Sequence, residues 1–410
     1  MTEPASAPTS TRARFGLALL LGSLTIMAPL SIDMYLSALP ALATTFNATP
    51  GDAQLTLTSY FVGFSLGQAF YGPLLDRFGR KPPLYFGMGL FMLASFGCAL
   101  APSIDALIAL RFLQAIGACS GGVVSRAMVR DLFTLTEGSR VYAMLALVTS
   151  IGPLLGPLLG GYILITVGWR AIFALLGFVT IALLAITHFR VKETYRPIAS
   201  VEARAQAFAV GRILTGYWSL FVDKRFIGYA LCSAFPLAGM FVYISGVPFV
   251  FIDLYDIPPH HFGWLFGGNA LMLMTAFQVN GRLVGRIAPG VLLRRGLIGQ
   301  CIAGTIILID GATGFGGLYG ILLPLAIYTF CMGFIMPNAM VLAMSPFGTI
   351  AGMASALLGS LQFMTGAACA SVMTIIPAGT ALPMTVGMAF CAFAGMFAHL
   401  TIVRRIPHAL

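Results

Sequence analysis

The sequence predicts an all-α integral membrane protein with twelve transmembrane helices in two pseudo-symmetric six-helix bundles. Three observations carry that prediction. Hydrophobic residues fill 59% of the 410 positions and charged residues only 9%, against roughly 25% charged in soluble domains. The apolar residues come in long runs, such as Phe15 to Ile32, Tyr60 to Leu75 and Leu84 to Ala101. Each run is near the ~20 residues that span a hydrocarbon core. Finally, two stretches recur at nearly one offset. Tyr35-Leu36-Ser37-Ala38-Leu39-Pro40 returns as Tyr243-Ile244-Ser245-Gly246-Val247-Pro248, and Gly72-Pro73-Leu74-Leu75-Asp76-Arg77 as Gly281-Arg282-Leu283-Val284-Gly285-Arg286. Parallel repeats of this kind place a site between the halves near the bilayer midplane.

The expected spans are 15–40, 54–75, 83–102, 106–128, 139–164, 169–190, 226–251, 260–281, 296–312, 319–343, 349–375 and 381–403. The first follows Arg12 and Arg14 and precedes Ala41-Leu42-Ala43, which looks like a cleavage site. The run is longer than the h-region of about 7–15 residues in a signal peptide, and it holds Pro29 and Asp33, so it reads as an uncleaved span. The ninth is the weakest, because it runs into Asp310 and a Gly-rich tail. The chain contains 47 Gly and 23 Pro, many of them inside the runs, where neighbouring helices can satisfy the freed backbone groups. The expected division is an N-terminal bundle at 1–190, a polar cytoplasmic linker at 191–224 and a C-terminal bundle at 225–410.

Lys and Arg set the orientation. With both termini cytoplasmic, the inner segments hold Arg12 and Arg14, then Arg77, Arg80 and Lys81, then Arg130 and Arg140. The stretch from Arg190 to Arg225, the group Arg282, Arg286, Arg294 and Arg295, and finally Arg404 and Arg405 follow on the same side. The outer loops hold Asp52, Asp105, Asp253 and Asp256, with Arg170 as the outer cation. Arg111 is expected as the one basic residue within a span. The net charge of +10 is thus a topology signal and a match to the lipid bilayer's anionic inner leaflet. No nucleic-acid partner is expected, since no soluble basic domain exists to carry one. The seven cysteines stand singly, with no C-x-x-C or Cys/His pairing, so neither a metal nor a disulfide framework is indicated. H-E-x-x-H and G-x-x-x-x-G-K-[ST] are absent, so neither an enzyme, a cofactor nor ATP is expected. His260-His261 reads as interfacial.

Asp33 is the acidic residue placed well inside a span of the first half. A carboxylate there costs about 2.5–3.5 kcal/mol on insertion scales. It is kept if it faces a wet cavity, meets a cation or carries a proton; the other reading is an interfacial cap. Arg111 has two readings as well, an inward partner or a side chain snorkelling to the headgroups. Gln114, Ala118, Gly121 and Ser125 follow it at helical spacing. Gly72 to Lys81 joins spans two and three, with Gly72 and Gly79 for close turns, Asp76 to bridge a neighbouring helix, and Arg77 and Arg80 on the inner face. Gly152-Pro153-Leu154-Leu155-Gly156-Pro157-Leu158-Leu159-Gly160-Gly161 forms a small-xxx-small ridge, and its role depends on the helix it meets. Tyr35, Tyr60, Gln114, Tyr243, Asn269, Asn338 and Gln362 are polar groups within spans. They are read either as cavity lining for a small amphipathic substrate or as interhelical hydrogen bonds.

The ten residues Gly72 to Lys81 resemble the signature loop of the major facilitator superfamily. Gly152 to Gly161 resembles the antiporter motif of its drug:proton antiporters. Leu110-Arg111-Phe112-Leu113-Gln114-Ala115-Ile116-Gly117 resembles the span-four Arg motif, with Ala115 where Gly is common. Asp33-Met34-Tyr35-Leu36-Ser37-Ala38-Leu39-Pro40, Val129-Arg130-Asp131-Leu132-Phe133 and Gly168-Trp169-Arg170-Ala171-Ile172-Phe173 are similar to the bicyclomycin and chloramphenicol resistance branch, with Ser37 where Pro is usual. The resemblance implies proton-coupled multidrug efflux across a bacterial inner membrane, and with it antibiotic resistance. It implies that Asp33 carries the proton with Arg111 as its partner or modulator. By the same resemblance the Gly72–Lys81 loop latches the inner face, and the span-five motif seals helices that part during rocking. Two further classes stand beside this one: a proton-driven nutrient importer and a membrane sensor that transports nothing.

Overall fold

The computed structural model describes residues 11–133, 135–191, 193–194, 210–347, 350–373 and 380–405. Among these residues there are fourteen α-helices and no strand. They are α1 (Thr11–Leu36), α2 (Leu39–Thr45), α3 (Pro50–Phe78), α4 (Lys81–Ala99), α5 (Ile104–Leu132), α6 (Leu135–Thr166), α7 (Trp169–Arg190), α8 (Val210–Val222), α9 (Lys224–Pro248), α10 (Pro259–Leu283), α11 (Pro289–Thr313), α12 (Gly317–Met344), α13 (Ala351–Met373) and α14 (Leu382–Thr401). Eleven helices among the described residues are long and apolar enough to cross a membrane. The twelfth long helix, α3, has 29 residues and packs on α5; Thr56, Ser59, Ser65 and Gln68 make it more polar without shortening it.

Local chemistry sets the helix ends. Thr49 caps α3 and closes a capping box with Asp52, whose Oδ2 accepts the Thr49 amide at 2.9 Å. Donors from Thr49 hold the Asp52 carboxyl below its ordinary range. Ser103 caps α5, and Asp223 caps α9 by accepting the amides of Arg225 and Phe226 at 2.8 Å. Pro stands in the first turn of α3, α4, α10, α11 and α14, where its missing N–H costs nothing. Pro29, Pro153, Pro157, Pro236, Pro324 and Pro337 lie inside helices, as the membrane setting allows.

Helices α1 and α3 to α7 pack on one another, and so do α9 to α14. The two sets meet along two seams, α6 against α10 and α3 against α13. Three details differ from the expected spans. The ninth span begins at Pro289 and runs through Asp310. The helix holds because Asp310 Oδ1 turns back to accept the Gly316 amide at 2.6 Å and Gly314 ends the helix at φ +66°. Next, α5 continues to Leu132, and Arg126, which already falls inside the expected span 106–128, shares that helix with Arg111, so Arg111 is not the one basic residue within a span. Lastly, the polar linker contains α8, with Trp218 and Phe221 exposed and Leu220 buried, a pattern of interfacial helices. Residues 195–209 of that linker lie outside the described residues.

Candidate functional site

Asp33 sits three residues from the end of α1 and is only 4% exposed. Its Oδ2 is buried with no hydrogen-bond partner. The wall beside it is the glycine ridge of α6. A Cβ added at Gly152 would lie 3.6 Å from Asp33 Oδ2, and one at Gly156 would lie 2.6 Å from Asp33 Cβ. A Cβ at Gly160 would collide with the Met34 carbonyl. The Ser37 hydroxyl donates to the Pro157 carbonyl at 3.1 Å, so Ser37 ties the chain after α1 to the same ridge. The helix met by the small-residue motif is therefore the one that carries Asp33. Gly161 points the other way: a Cβ there would stand 2.5 Å from the Pro259 carbonyl of α10. The α10 side returns the fit, with Gly263 against Leu158 and Gly267 against Leu154. One motif thus supports α1 on one face and forms the seam with the second helix set on another.

Arg111 of α5 is fully buried and does not reach the headgroups. Its Nη1 donates to the Ser31 carbonyl at 3.2 Å and to Gln114 Oε1 at 2.6 Å. The Tyr35 and Tyr60 rings cover the guanidinium at 4.5 and 4.4 Å from their centroids, with Phe173 at 5.7 Å. Cation–π contact of this kind compensates Nε and Nη2, which find no hydrogen-bond acceptor. Gln114 passes the chain on to the Ser95 hydroxyl at 2.7 Å, Tyr35 bonds Thr56, and Tyr60 pairs with the Ser31 hydroxyl at 2.8 Å. Arg111 and Asp33 form no ion pair. They are linked through α1 and Tyr60, whose phenol lies within electrostatic reach of both.

Tyr35, Tyr60 and Gln114 are gathered into this cage. Tyr243 and Asn269 come together across the seam from it. Asn269 Nδ2 donates to Tyr243 Oη at 3.1 Å, the Tyr243 ring stacks on Phe266, and Tyr243 is within electrostatic reach of Asp33. Asn338 bonds Asn280 at 2.7 Å and Gln362 bonds Ser233 at 3.1 Å, away from the Arg111 cage. On the second seam, Ser65 and Ser360 exchange hydroxyl-to-carbonyl hydrogen bonds at 2.8 and 3.0 Å. Beside them Phe61 stacks on Phe241 at 4.1 Å and Phe64 meets Phe363 at 4.5 Å.

The loop between α3 and α4 is built around Arg80. Its Nε and Nη2 bond the two oxygens of Asp131 at 2.7 and 3.3 Å, and its Nη1 bonds the Leu75 carbonyl. Glu193 caps the loop: its oxygens accept the amides of Arg80 at 2.9 Å and Lys81 at 3.0 Å. Gly79 makes the turn at φ +87°, a conformation that suits glycine. Gly72 plays no part in that turn; it lies within α3 with nothing within 4 Å of an added Cβ. The side chain of Asp76 lies outside the described ones. Glu193 is a functional candidate that the sequence does not single out. The charge of Glu193 in a polar stretch gives no sign of what it faces.

Twelve long helices among the described residues, in two packed sets with a buried carboxylate and a buried cation beside the seam, are the architecture of a membrane transporter. Residues 21–370 match the Major Facilitator Superfamily, and the chain belongs to that family. It is 37% identical over 390 residues to YdgK of Bacillus subtilis, described as an uncharacterized MFS-type transporter, covering 93% of this chain and 96% of that one. It is 30% identical to a bicyclomycin resistance protein homolog of Haemophilus influenzae, over 94% of this chain and 96% of the relative. A chloramphenicol resistance protein of Pseudomonas aeruginosa is 31% identical over 90% and 86%. The crystal structure of a D-xylose-proton symporter superposes with a TM-score of 0.75 over 96% of this chain and 98% of the other, at 17% identity. That likeness bears on the fold, two bundles of six helices.

Proposed function

We propose that this transporter exports small drug-like or amphipathic molecules across a bacterial inner membrane in exchange for protons, with both termini in the cytoplasm. Asp33 is the proton-carrying carboxylate. Protonation from outside neutralises it, releases substrate and lets the halves rock; deprotonation inside restores affinity. Arg111 modulates Asp33 through Ser31 and Tyr60 instead of pairing with it. The observation that carries this reading is the carboxylate oxygen of Asp33, buried without a partner against Gly152 and Gly156. A purely structural carboxylate at that depth would be expected to have its hydrogen bonds made. The names of the relatives point to bicyclomycin and chloramphenicol as the first molecules to try. One proton moving down about 100 mV releases about 2.3 kcal/mol, which sustains more than a tenfold substrate gradient.

Everted membrane vesicles with an acidified lumen test the reading. Radiolabelled chloramphenicol is expected to accumulate inside and to leak out when a protonophore is added. Asp33→Asn is expected to abolish accumulation while leaving exchange down a substrate gradient. Gradient-driven accumulation at the normal rate in Asp33→Asn would remove Asp33 from the coupling step.

A further inference from the structure

The surface between α9 and α14 carries an apolar groove of about 520 Å³. Leu231 and Phe235 form its α9 wall, and Phe390, Phe393, Phe397 and Ile402 its α14 side. The three α14 rings are exposed, at 57%, 50% and 68%, so the groove opens outward and lies apart from the seam and from Asp33. Both walls end in cations at the same end of the bundle. Lys224 precedes Leu231 by two helical turns on one face of α9, and Arg404 and Arg405 follow Thr401 and Ile402 after the single residue Val403. All three are exposed. The two ends are pressed together, since a Cβ at Gly228 would stand 2.9 Å from Ile402 and 3.2 Å from Val403. Arg294 of α11 and Arg404 both lie within electrostatic reach of His399, which brings a third helix to the cationic end. The neighbouring acid, Asp223, is engaged as the cap of α9.

We propose that this groove binds an anionic phospholipid, with one acyl chain along the phenylalanine wall and the phosphate among Lys224, Arg404 and Arg405. The walls alone give no selectivity, because bulk lipid tails are as apolar as they are. Selection falls to the headgroup, and clustered cations beside a transmembrane helix favour anionic lipid. Each such cation adds roughly fivefold, so three favour an anionic lipid over a zwitterionic one by well over tenfold. A second copy of the chain is the poorer occupant. A two-fold contact through this face presents the same patch from both sides, which sets the cationic ends near their own kind.

Native mass spectrometry of the full chain in detergent, titrated with dioleoyl phosphatidylglycerol or dioleoyl phosphatidylcholine, tests this. The first phosphatidylglycerol adduct is expected to bind at least about tenfold more tightly than phosphatidylcholine. Combined Lys224→Gln, Arg404→Gln and Arg405→Gln, all exposed positions, should erase the preference. Ala394→Trp, which fills the groove and keeps the cations, should reduce adducts of both lipids. Equal retention of the two lipids by the unmodified chain overturns the proposal, as does a preference that survives the triple change or an adduct pattern indifferent to Ala394→Trp. A dimer mass dispersed by Ala394→Trp would assign the groove to a second copy.

Discussion

Gly156 on α6 leaves no room for a side chain above Asp33 on α1, because a Cβ there would stand 2.6 Å from the Asp33 Cβ. The glycine ridge of α6 is therefore the wall against which the buried carboxylate rests. Gly156→Ala must push α1 and α6 apart or twist Asp33 out of place. Overpacking of this type costs about 1–3 kcal/mol, so the midpoint of thermal unfolding in detergent should fall by several degrees and proton-coupled transport should be lost. Gly152→Ala meets only ordinary contacts at 3.5–3.6 Å and should leave both nearly intact. Equal effects of the two substitutions would mean that the ridge is mere spacing.

The pair Arg80 and Asp131 joins the loop after α3 to the end of α5 through two hydrogen bonds, with side-chain exposures of 5% and 14%. Removing one partner of such a buried pair costs about 3–5 kcal/mol, since the other charge is stranded. Asp131→Asn and Arg80→Ala should each lower thermal stability strongly, and the double variant by less than their sum. Arg80→Lys should not restore the loss, because an ammonium cannot make the two-pronged contact. Additive losses in a thermal-shift cycle would show that the two side chains act separately.

These two sites show what the sequence made legible. Asp33, Arg111 and the glycine ridge stood out because charge and repeated small residues are costly or special at lipid depth. The motif around Arg80 was visible as a pattern of ten residues. What could not be read was the set of partners, because helix packing decides it. Ser37 bonding to Pro157, Asn269 to Tyr243 and Glu193 to the start of α4 each join segments far apart in the chain. From the sequence Gly72 and Gly79 look equally suited to the turn, yet Gly79 alone makes it, because a glycine in a run does not announce its dihedral angle. The amphipathic α8 was hidden by the charged stretch around it.

Glu193 offers a separate test of the loop. Its carboxylate accepts the amides of Arg80, Lys81 and Thr194, so it serves α4 as a cap supplied from beyond α7. Losing a cap costs about 0.5–2 kcal/mol. Glu193→Ala should speed amide hydrogen exchange at the start of α4, with little change around Asp33. Unchanged exchange at residues 80–84 would rule the cap out.

The reciprocal bonds of Ser65 and Ser360 mark where α3 and α13 touch, and Gly359 lies against Gln68 on the same seam. If the halves rock during transport, this seam must loosen on each cycle, whereas contacts inside one bundle, such as Gln114 with Ser95, need not. In a background with the seven native cysteines replaced, Ser65→Cys with Ser360→Cys should cross-link through a short bifunctional reagent, and transport should stop in proportion to the cross-linked fraction. Reduction of a cleavable linker should restore it. A control pair, Ser95→Cys with Gln114→Cys, should cross-link without a further loss beyond that of the substitutions themselves. Full transport through a cross-linked Ser65–Ser360 seam would mean that α3 and α13 stay together throughout the cycle, and that access alternates by movement along the α6–α10 seam alone.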